Sequence, residues 1–204
     1  MKQKFIFLFL SLTFLTKAQE WPVKDLDTGR DESYLSEDEK EIILLINKVR
    51  TNPALFARTY LEKRKNENEF AIECYNQLLN WKPQEILKPS KALSLAARDH
   101  ATDLGEKGIV GHIGTKGEDA ATRVKRYGNF TGAFTGPWEN CSYGHSEPLD
   151  IVLQLLIDNG VKSRGHRKNI MERFARYIGC SIKPHLVWNY NCVMDFADSI
   201  EDKK

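Results

Sequence analysis

A change of hydrophobic period near residue 178 constrains the fold of this chain more than any other feature. Before residue 160, apolar residues recur every three or four positions in several segments, as they do along one face of a helix. From residue 178 to 196 they alternate instead, which is typical of strands with one buried face. Lys183-Pro184-His185 divides the alternating stretch and predicts an antiparallel hairpin. Helices followed by a hairpin indicate an α+β domain with helices packed on an antiparallel sheet.

The helical segments have recognisable starts. Ser36 and Glu39 form a capping-box pattern before the first helix, which Asn52-Pro53 ends. Residues 70–79 are predicted to be helical, and a helix that begins near Pro148 is apolar almost all round, which indicates a buried layer. The clearest helix follows residues 88–90. Its apolar face contains Leu93, Ala96, Ala97, His100, Ala101 and Leu104. We interpret His100 as a core histidine rather than a ligand, because it lies on this apolar face.

Residues 1–18 are typical of a secretory signal. Lys2 and Lys4 precede an apolar run over residues 5–15, and Ala18 is a small residue at the expected cleavage position. The run is shorter than the roughly 20 residues that a membrane-spanning helix needs, and no later segment is as apolar. We therefore predict an exported protein without a membrane span. After the signal we expect a surface leader over residues 19–35, one domain over residues 36–197 and a polar tail over residues 198–204.

Charge argues against a nucleic-acid partner. Loss of the signal removes three lysines and no acidic residue, so the 30 basic residues fall to 27 against 28 acidic ones. A nucleic-acid footprint would need clustered lysine and arginine. The four cysteines, at positions 74, 141, 180 and 192, match no zinc-finger spacing. In an exported chain they predict two disulfides, and all three connectivities remain open at this point.

Three short motifs carry residues that are suited to binding or catalysis. Each places a histidine or a glutamate beside glycine, aromatic or amide residues, and functional sites are usually built on such loops and element ends. The motifs are Gly111-His112-Ile113-Gly114, Trp138-Glu139-Asn140, and Arg164-Gly165-His166-Arg167-Lys168-Asn169-Ile170. Their order and spacing matter more than any one of them alone.

Taken together, these motifs resemble the CAP superfamily of cysteine-rich secretory proteins, antigen 5 and pathogenesis-related proteins, and are most similar to its bacterial secreted members. The resemblance covers residues 36–197. Besides the three motifs, it rests on the helix over residues 93–104 and on Tyr143-Gly144, Gly179-Cys180 and Asn191-Cys192.

The resemblance implies a three-layer α-β-α sandwich with a cleft that holds two histidines and two acidic residues. His112, Glu139 and His166 match three of these positions. The fourth is usually a glutamate in the helix before the second histidine. Residues 155–160 contain no glutamate, so Asp158 is the best substitute, with a shorter side chain. The resemblance also favours a Cys180–Cys192 disulfide, which leaves Cys74 and Cys141 as a second pair.

The implied function is that of an extracellular binding module, or a periplasmic one in a Gram-negative source. Imidazoles are ordinary ligands of zinc, so His112 and His166 are candidates to hold a divalent metal. One alternative is a metal-dependent peptidase or esterase with Glu139 as the general base. Another is a sterol or lipid carrier, or a signalling scaffold with a protein partner. The family has no single agreed reaction, so the resemblance favours binding over catalysis.

Overall fold

The computed structural model describes residues 20–132 and 136–203. The predicted signal peptide, Gln19 and Lys204 lie outside the described residues. Within the described part of the chain, no helix is both long and apolar enough to cross a bilayer.

Helices form two groups around a sheet. The helices are α1 (Val23–Leu26), α2 (Glu37–Thr51), α3 (Pro53–Phe56), α4 (Glu69–Asn80), α5 (Lys91–Lys107), α6 (Ala120–Val124), α7 (Pro148–Ile157) and α8 (Gly165–Ile170), with a π-helical turn at Ala57–Leu61 after α3. The predicted capping box at Ser36 and Glu39 is confirmed at the start of α2. Asn52 caps α3 and Ser90 caps α5, because each side-chain oxygen accepts a backbone N–H of the first turn.

The main sheet has four strands in the order β1-β4-β5-β3. The strands are β1 (Lys88–Pro89), β2 (Gly128–Phe130), β3 (Trp138–Tyr143), β4 (Tyr177–His185), β5 (Asn189–Ala197) and β6 (Ile200–Asp202). The predicted antiparallel hairpin is confirmed as β4 and β5, but its turn lies at residues 186–188, because Lys183-Pro184-His185 pairs with β5 as the end of β4. β5 also pairs antiparallel with β3, while the two residues of β1 pair parallel with β4. The sheet is therefore mixed, and β3 forms one of its edges.

Helix α5 covers one face of the sheet. Its small residues Ala97 and Ala101 pack with Val193 of β5, which lets the helix approach the strands closely. The approach is tightest at Gly179 of β4, where a Cβ atom would lie 2.1 Å from the backbone nitrogen of Ser94. Glycine is therefore required at this position by helix–strand contact rather than by a turn.

The larger core lies on the opposite face, where α2 and α7 pack on the sheet. Ile178, Met194 and Phe196 point into it from the strands. The alternation of β4 and β5 thus divides their side chains between two helical layers. This arrangement confirms the α-β-α sandwich.

The two ends of the described chain take part in the fold. Within the expected surface leader, Leu26 and Leu35 are buried, and the Asn47 amide donates to the carbonyl of Leu26. In the expected polar tail, β6 pairs antiparallel with β2 and buries Ile200. Asp202 also accepts hydrogen bonds at the start of α5. A single apolar residue in a polar stretch is too weak a signal to predict such a strand.

All four cysteines are free, buried thiols, so neither predicted disulfide is present. Cys180 lies opposite Met194 and Cys192 lies opposite Ile182, so the two thiols are diagonal rather than facing across the hairpin. Cys74 belongs to the core on the α2 side of the sheet, whereas Cys141 packs with α5 on the other side. The sheet therefore separates the second predicted pair.

Candidate functional site

Two of the four predicted cleft residues, His112 and Glu139, meet on the α5 face of the sheet. Glu139 lies on the edge strand β3 and His112 on the loop after α5. Nδ1 of His112 is 2.7 Å from Oε1 of Glu139. The other carboxylate oxygen accepts a hydrogen bond from the buried guanidinium of Arg123. The Glu139 side chain is 5% exposed and that of His112 is 54% exposed, so a buried carboxylate orients an accessible imidazole.

The other two predicted cleft residues, Asp158 and His166, meet on the α7 side of the same strand. Nδ1 of His166 is 2.7 Å from Oδ1 of Asp158, and the backbone N–H of His166 donates to Oδ2 at 3.0 Å. Asp158 occupies the C-cap of α7 with φ 57°, in the left-handed region. This turn carries the carboxylate to the first turn of α8. The shorter side chain at residue 158 therefore reaches the second histidine.

Amides connect the two pairs across β3. Asn140 donates to the carbonyl of His166 at 3.0 Å, and Asn169 of α8 donates to the carbonyl of Glu139 at 3.2 Å. The two pairs line different cavities, however. His166 and Asp158 line one of about 440 Å³, whereas His112 and Glu139 line another of about 360 Å³. The four predicted residues therefore lie on both sides of one strand rather than around one point.

Two further residues join the Glu139 side. His100 of α5 places Nε2 3.8 Å from Oε1 of Glu139, and Sγ of Cys141 lies 3.7 Å from Nδ1 of His112. Potential ligand atoms of His100, Glu139 and Cys141 lie within 4.8 Å of one another. Within residues 20–132 and 136–203, His166 belongs to no such cluster. The interpretation of His100 as a core residue missed this contact. Glu139 and Cys141 share one face of β3 because they are residues i and i+2 of a strand, but the sequence does not predict this strand.

The protonation of the cluster follows from its surroundings. The hydrogen bond to Glu139 raises the pKa of His112. Burial lowers the pKa of His100, which favours the neutral imidazole. Burial also raises the pKa of Cys141 well above its usual value, so the thiol keeps its proton. The cluster therefore contains a neutral imidazole at His100 and a protonated thiol at Cys141, beside a carboxylate that is bonded to His112 and Arg123.

Comparison with known families identifies the fold. The sequence profile of the cysteine-rich secretory protein family, CAP, matches residues 45–196. The chain belongs to the CAP family. No curated protein sequence matches it significantly.

Two solved structures are similar to this CAP protein. An extracellular protein with an SCP domain from Bacillus anthracis strain Ames is 17% identical, with a TM-score of 0.51. The match covers 90% of this chain and 45% of the Bacillus chain, so it shows a shared fold over less than half of that protein. An outer surface protein of Borrelia burgdorferi is 18% identical, with a TM-score of 0.43, over 54% of this chain and 76% of the other.

Proposed function

We propose that the protein is exported and acts outside the cytoplasm as a binding module, with its ligand at the open edge of β3. The observation that carries the proposal is the paired arrangement of His112 and His166. Each imidazole is held at Nδ1 by a buried carboxylate, and each is partly exposed. A fixed hydrogen bond at one ring nitrogen orients the other nitrogen for an external partner. Export is supported by the signal-like features of residues 1–18 and by the secretory family.

The lining of the cavity beside His166 supports a small polar ligand or a peptide. Arg64, Asn68, His145 and Gln154 all contribute to it. Drug-sized apolar ligands, such as sterols, are usually enclosed by predominantly hydrophobic pockets. The carrier hypothesis therefore has less support from this cavity than recognition of a polar molecule.

The hydrolase hypothesis also has less support. A general base needs a free position toward the reacting water. The two oxygens of Glu139 are already bonded to His112 and Arg123, and the side chain is 5% exposed. These contacts suit a residue that orients a histidine better than one that accepts a proton from water.

A protein partner is a second candidate, supported by the turn between β4 and β5. Leu186, Val187 and Trp188 are 75%, 65% and 49% exposed there. Exposed apolar side chains that are contiguous often mark interaction sites. We expect the double substitution Leu186→Ser and Val187→Ser to abolish cross-linking to such a partner while ligand binding at β3 is unchanged.

Histidine-selective NMR tests the proposed cleft. The chain has five histidines, so a sample labelled with ¹⁵N in its imidazoles gives few signals. We would titrate it with a library of polar fragments and dipeptides. Binding in the cavity beside His166 should shift the ring signal of His166, binding in the cavity beside His112 should shift that of His112, and either should leave that of His185 unchanged.

His166→Ala should lose binding of the fragments that contact His166. His185→Gln is the control and should keep it. His185 lies at the end of β4, where Nε2 contacts the carbonyl of Ile109, and it does not line the cavity beside His166. Fragments that bind His166→Ala as tightly as the unmodified protein, or that shift only His185, would contradict the proposal.

A further inference from the structure

Four potential metal ligands converge between α5 and β3. Nε2 of His100 is 3.8 Å from Oε1 of Glu139, and a Cys141 ligand atom lies within 4.8 Å of both residues' ligand atoms. Nδ1 of His112 is 2.7 Å from the same glutamate oxygen and 3.7 Å from Sγ of Cys141. Tetrahedral zinc separates its nitrogen, oxygen and sulfur ligands by about 3.3–3.6 Å, given the usual bond lengths. The separations of 3.7 and 3.8 Å are close to those of a coordination shell, whereas the 2.7 Å contact is a hydrogen bond that would lengthen when a metal binds.

We propose that His100, Glu139 and Cys141, with His112 as the fourth ligand, bind a zinc-like divalent cation. This site is distinct from the predicted pair of His112 and His166. It shares Glu139 and His112 with the proposed ligand cleft but does not use His166, so either proposal can fail alone. A set of thiolate, imidazole and carboxylate favours zinc over magnesium or calcium, which prefer oxygen ligands.

A buried and unsatisfied carboxyl group beside the cluster is an independent indication of a cation. Asp195 of β5 is directly opposite Glu139 in the ladder and is completely buried. Neither of its oxygens accepts a hydrogen bond from an N–H or O–H donor of the described residues. Arg123 is bonded to Glu139 on the side away from His112 and His100. Asp195 and Glu139 both lie in the field of one guanidinium, that of Arg123. A cation at the cluster would add the positive charge that balances the second carboxyl group.

Each ligand has a route to its metal-binding form. Nε2 of His100 lies 3.0 Å from the carbonyl of Gly111, while its buried Nδ1 has no hydrogen-bond partner. When the ring proton moves from Nε2 to Nδ1, Nε2 becomes free to bind the metal. The hydrogen bond from Nε2 to the carbonyl of Gly111 is then lost. Cys141 would release its thiol proton to solvent as the metal–sulfur bond forms, since coordination by a divalent cation deprotonates a thiol. Nδ1 of His112 would give up the proton of its hydrogen bond to Glu139, which returns to the ring at Nε2 through solvent, and the exposed ring leaves a path for the ion.

Cobalt(II) provides a direct probe, because a thiolate ligand gives it a charge-transfer band in the near ultraviolet. The full chain, purified with a non-chelating reductant, should bind one cobalt ion with this band, and zinc should displace it. Cys141→Ser should abolish the band. His100→Gln, which retains a group able to bond Gly111, should weaken binding by more than about 100-fold, because loss of an outer-shell partner alone costs about 10- to 100-fold.

Two substitutions serve as matched controls. Cys74→Ala removes a thiol on the opposite face of the sheet, and His166→Ala removes the histidine outside the cluster; both should keep the band and the affinity. Circular dichroism verifies that each variant is folded. Failure of the unmodified protein to bind cobalt or zinc would overturn the proposal. A band that survives Cys141→Ser, or an affinity that falls in His166→Ala, would overturn the ligand set.

Discussion

At the scale of single residues, Asp195 has the least favourable environment of the site. It is completely buried, and burial, followed by the nearby charge of Glu139, raises its pKa well above the usual value. A carboxyl group without a donor loses its hydration and gains little in return. Because the folded-state pKa is raised, this cost is absent below the ordinary aspartate pKa of about 3.9 and grows as the pH rises above it.

We therefore expect Asp195→Asn to stabilise the metal-free protein at pH 7 by about 1–2 kcal/mol, the usual range for an unsatisfied buried group. The amide is similar in size, has no charge, and can donate a hydrogen bond to Glu139. Urea unfolding in the presence of a chelator measures the change, with Glu201→Gln on the exposed side of β6 as the control. A lower free energy of unfolding for Asp195→Asn would contradict this explanation.

At the scale of elements, α8 depends on α4 for its position. α8 has only six residues, fewer than an isolated helix needs. Glu73 of α4 accepts hydrogen bonds from Nε of Arg164 at 3.0 and 3.1 Å and from Nη1 of Arg167 at 3.0 Å. The hydrogen bond from Arg164 is the main reason that the pKa of Glu73 is lowered. This contact holds the helix that carries His166.

Glu73→Gln should lower the free energy of unfolding at pH 7 by about 1 kcal/mol, since the pair is partly exposed. A lowered carboxyl pKa stabilises the fold above the unfolded-state value of about 4.3, and that contribution is lost as the pH falls through the lowered folded-state pKa. The difference from the unmodified protein should therefore disappear at acid pH. Urea titrations between pH 7 and pH 3 measure it, with Glu106→Gln on α5 as the control. A difference that is independent of pH would refute the role of the charge.

At the scale of the whole molecule, Arg50 joins the helical layer to the chain segments that lead into the sheet. Its guanidinium is completely buried. It donates to the carbonyl groups of Glu85, Ile170, Glu172 and Ala175, which lie before β1 and between α8 and β4. The bonds to Ile170, Glu172 and Ala175 cross more than 100 positions of sequence. They place the end of α8 relative to α2.

Arg50→Lys should cost about 3 kcal/mol of stability, because one ammonium group cannot reach the four carbonyls and leaves some of them unsatisfied in a buried place. Chemical denaturation measures the loss. Arg173→Lys, an exposed change in the same segment, should have little effect. Equal stability of Arg50→Lys and the unmodified protein would show that the bonds are replaced by water.

Some parts of the site were predictable and others were not. His112, Glu139 and His166 stand in motifs whose order is visible in the sequence. Strand β3 was not predicted, because Glu139, Asn140 and Ser142 give it no apolar alternation; it forms by pairing with β5, about fifty residues later. Asp158 was identified from its position before His166, but the left-handed turn that brings their side chains to 2.7 Å depends on the packing of α7 and α8.

The sequence by itself determined the class of the fold, because hydrophobic periods of 3.6 and 2 residues distinguish helices from strands locally. It also determined the family and indicated three members of the candidate site. Only the tertiary structure decided which layer each side chain enters. It placed His100 and Cys141 beside Glu139 and the Asp158–His166 pair across β3, and it separated Cys74 from Cys141. Contacts between distant segments depend on which face of a sheet each helix covers, and local periodicity does not contain that information.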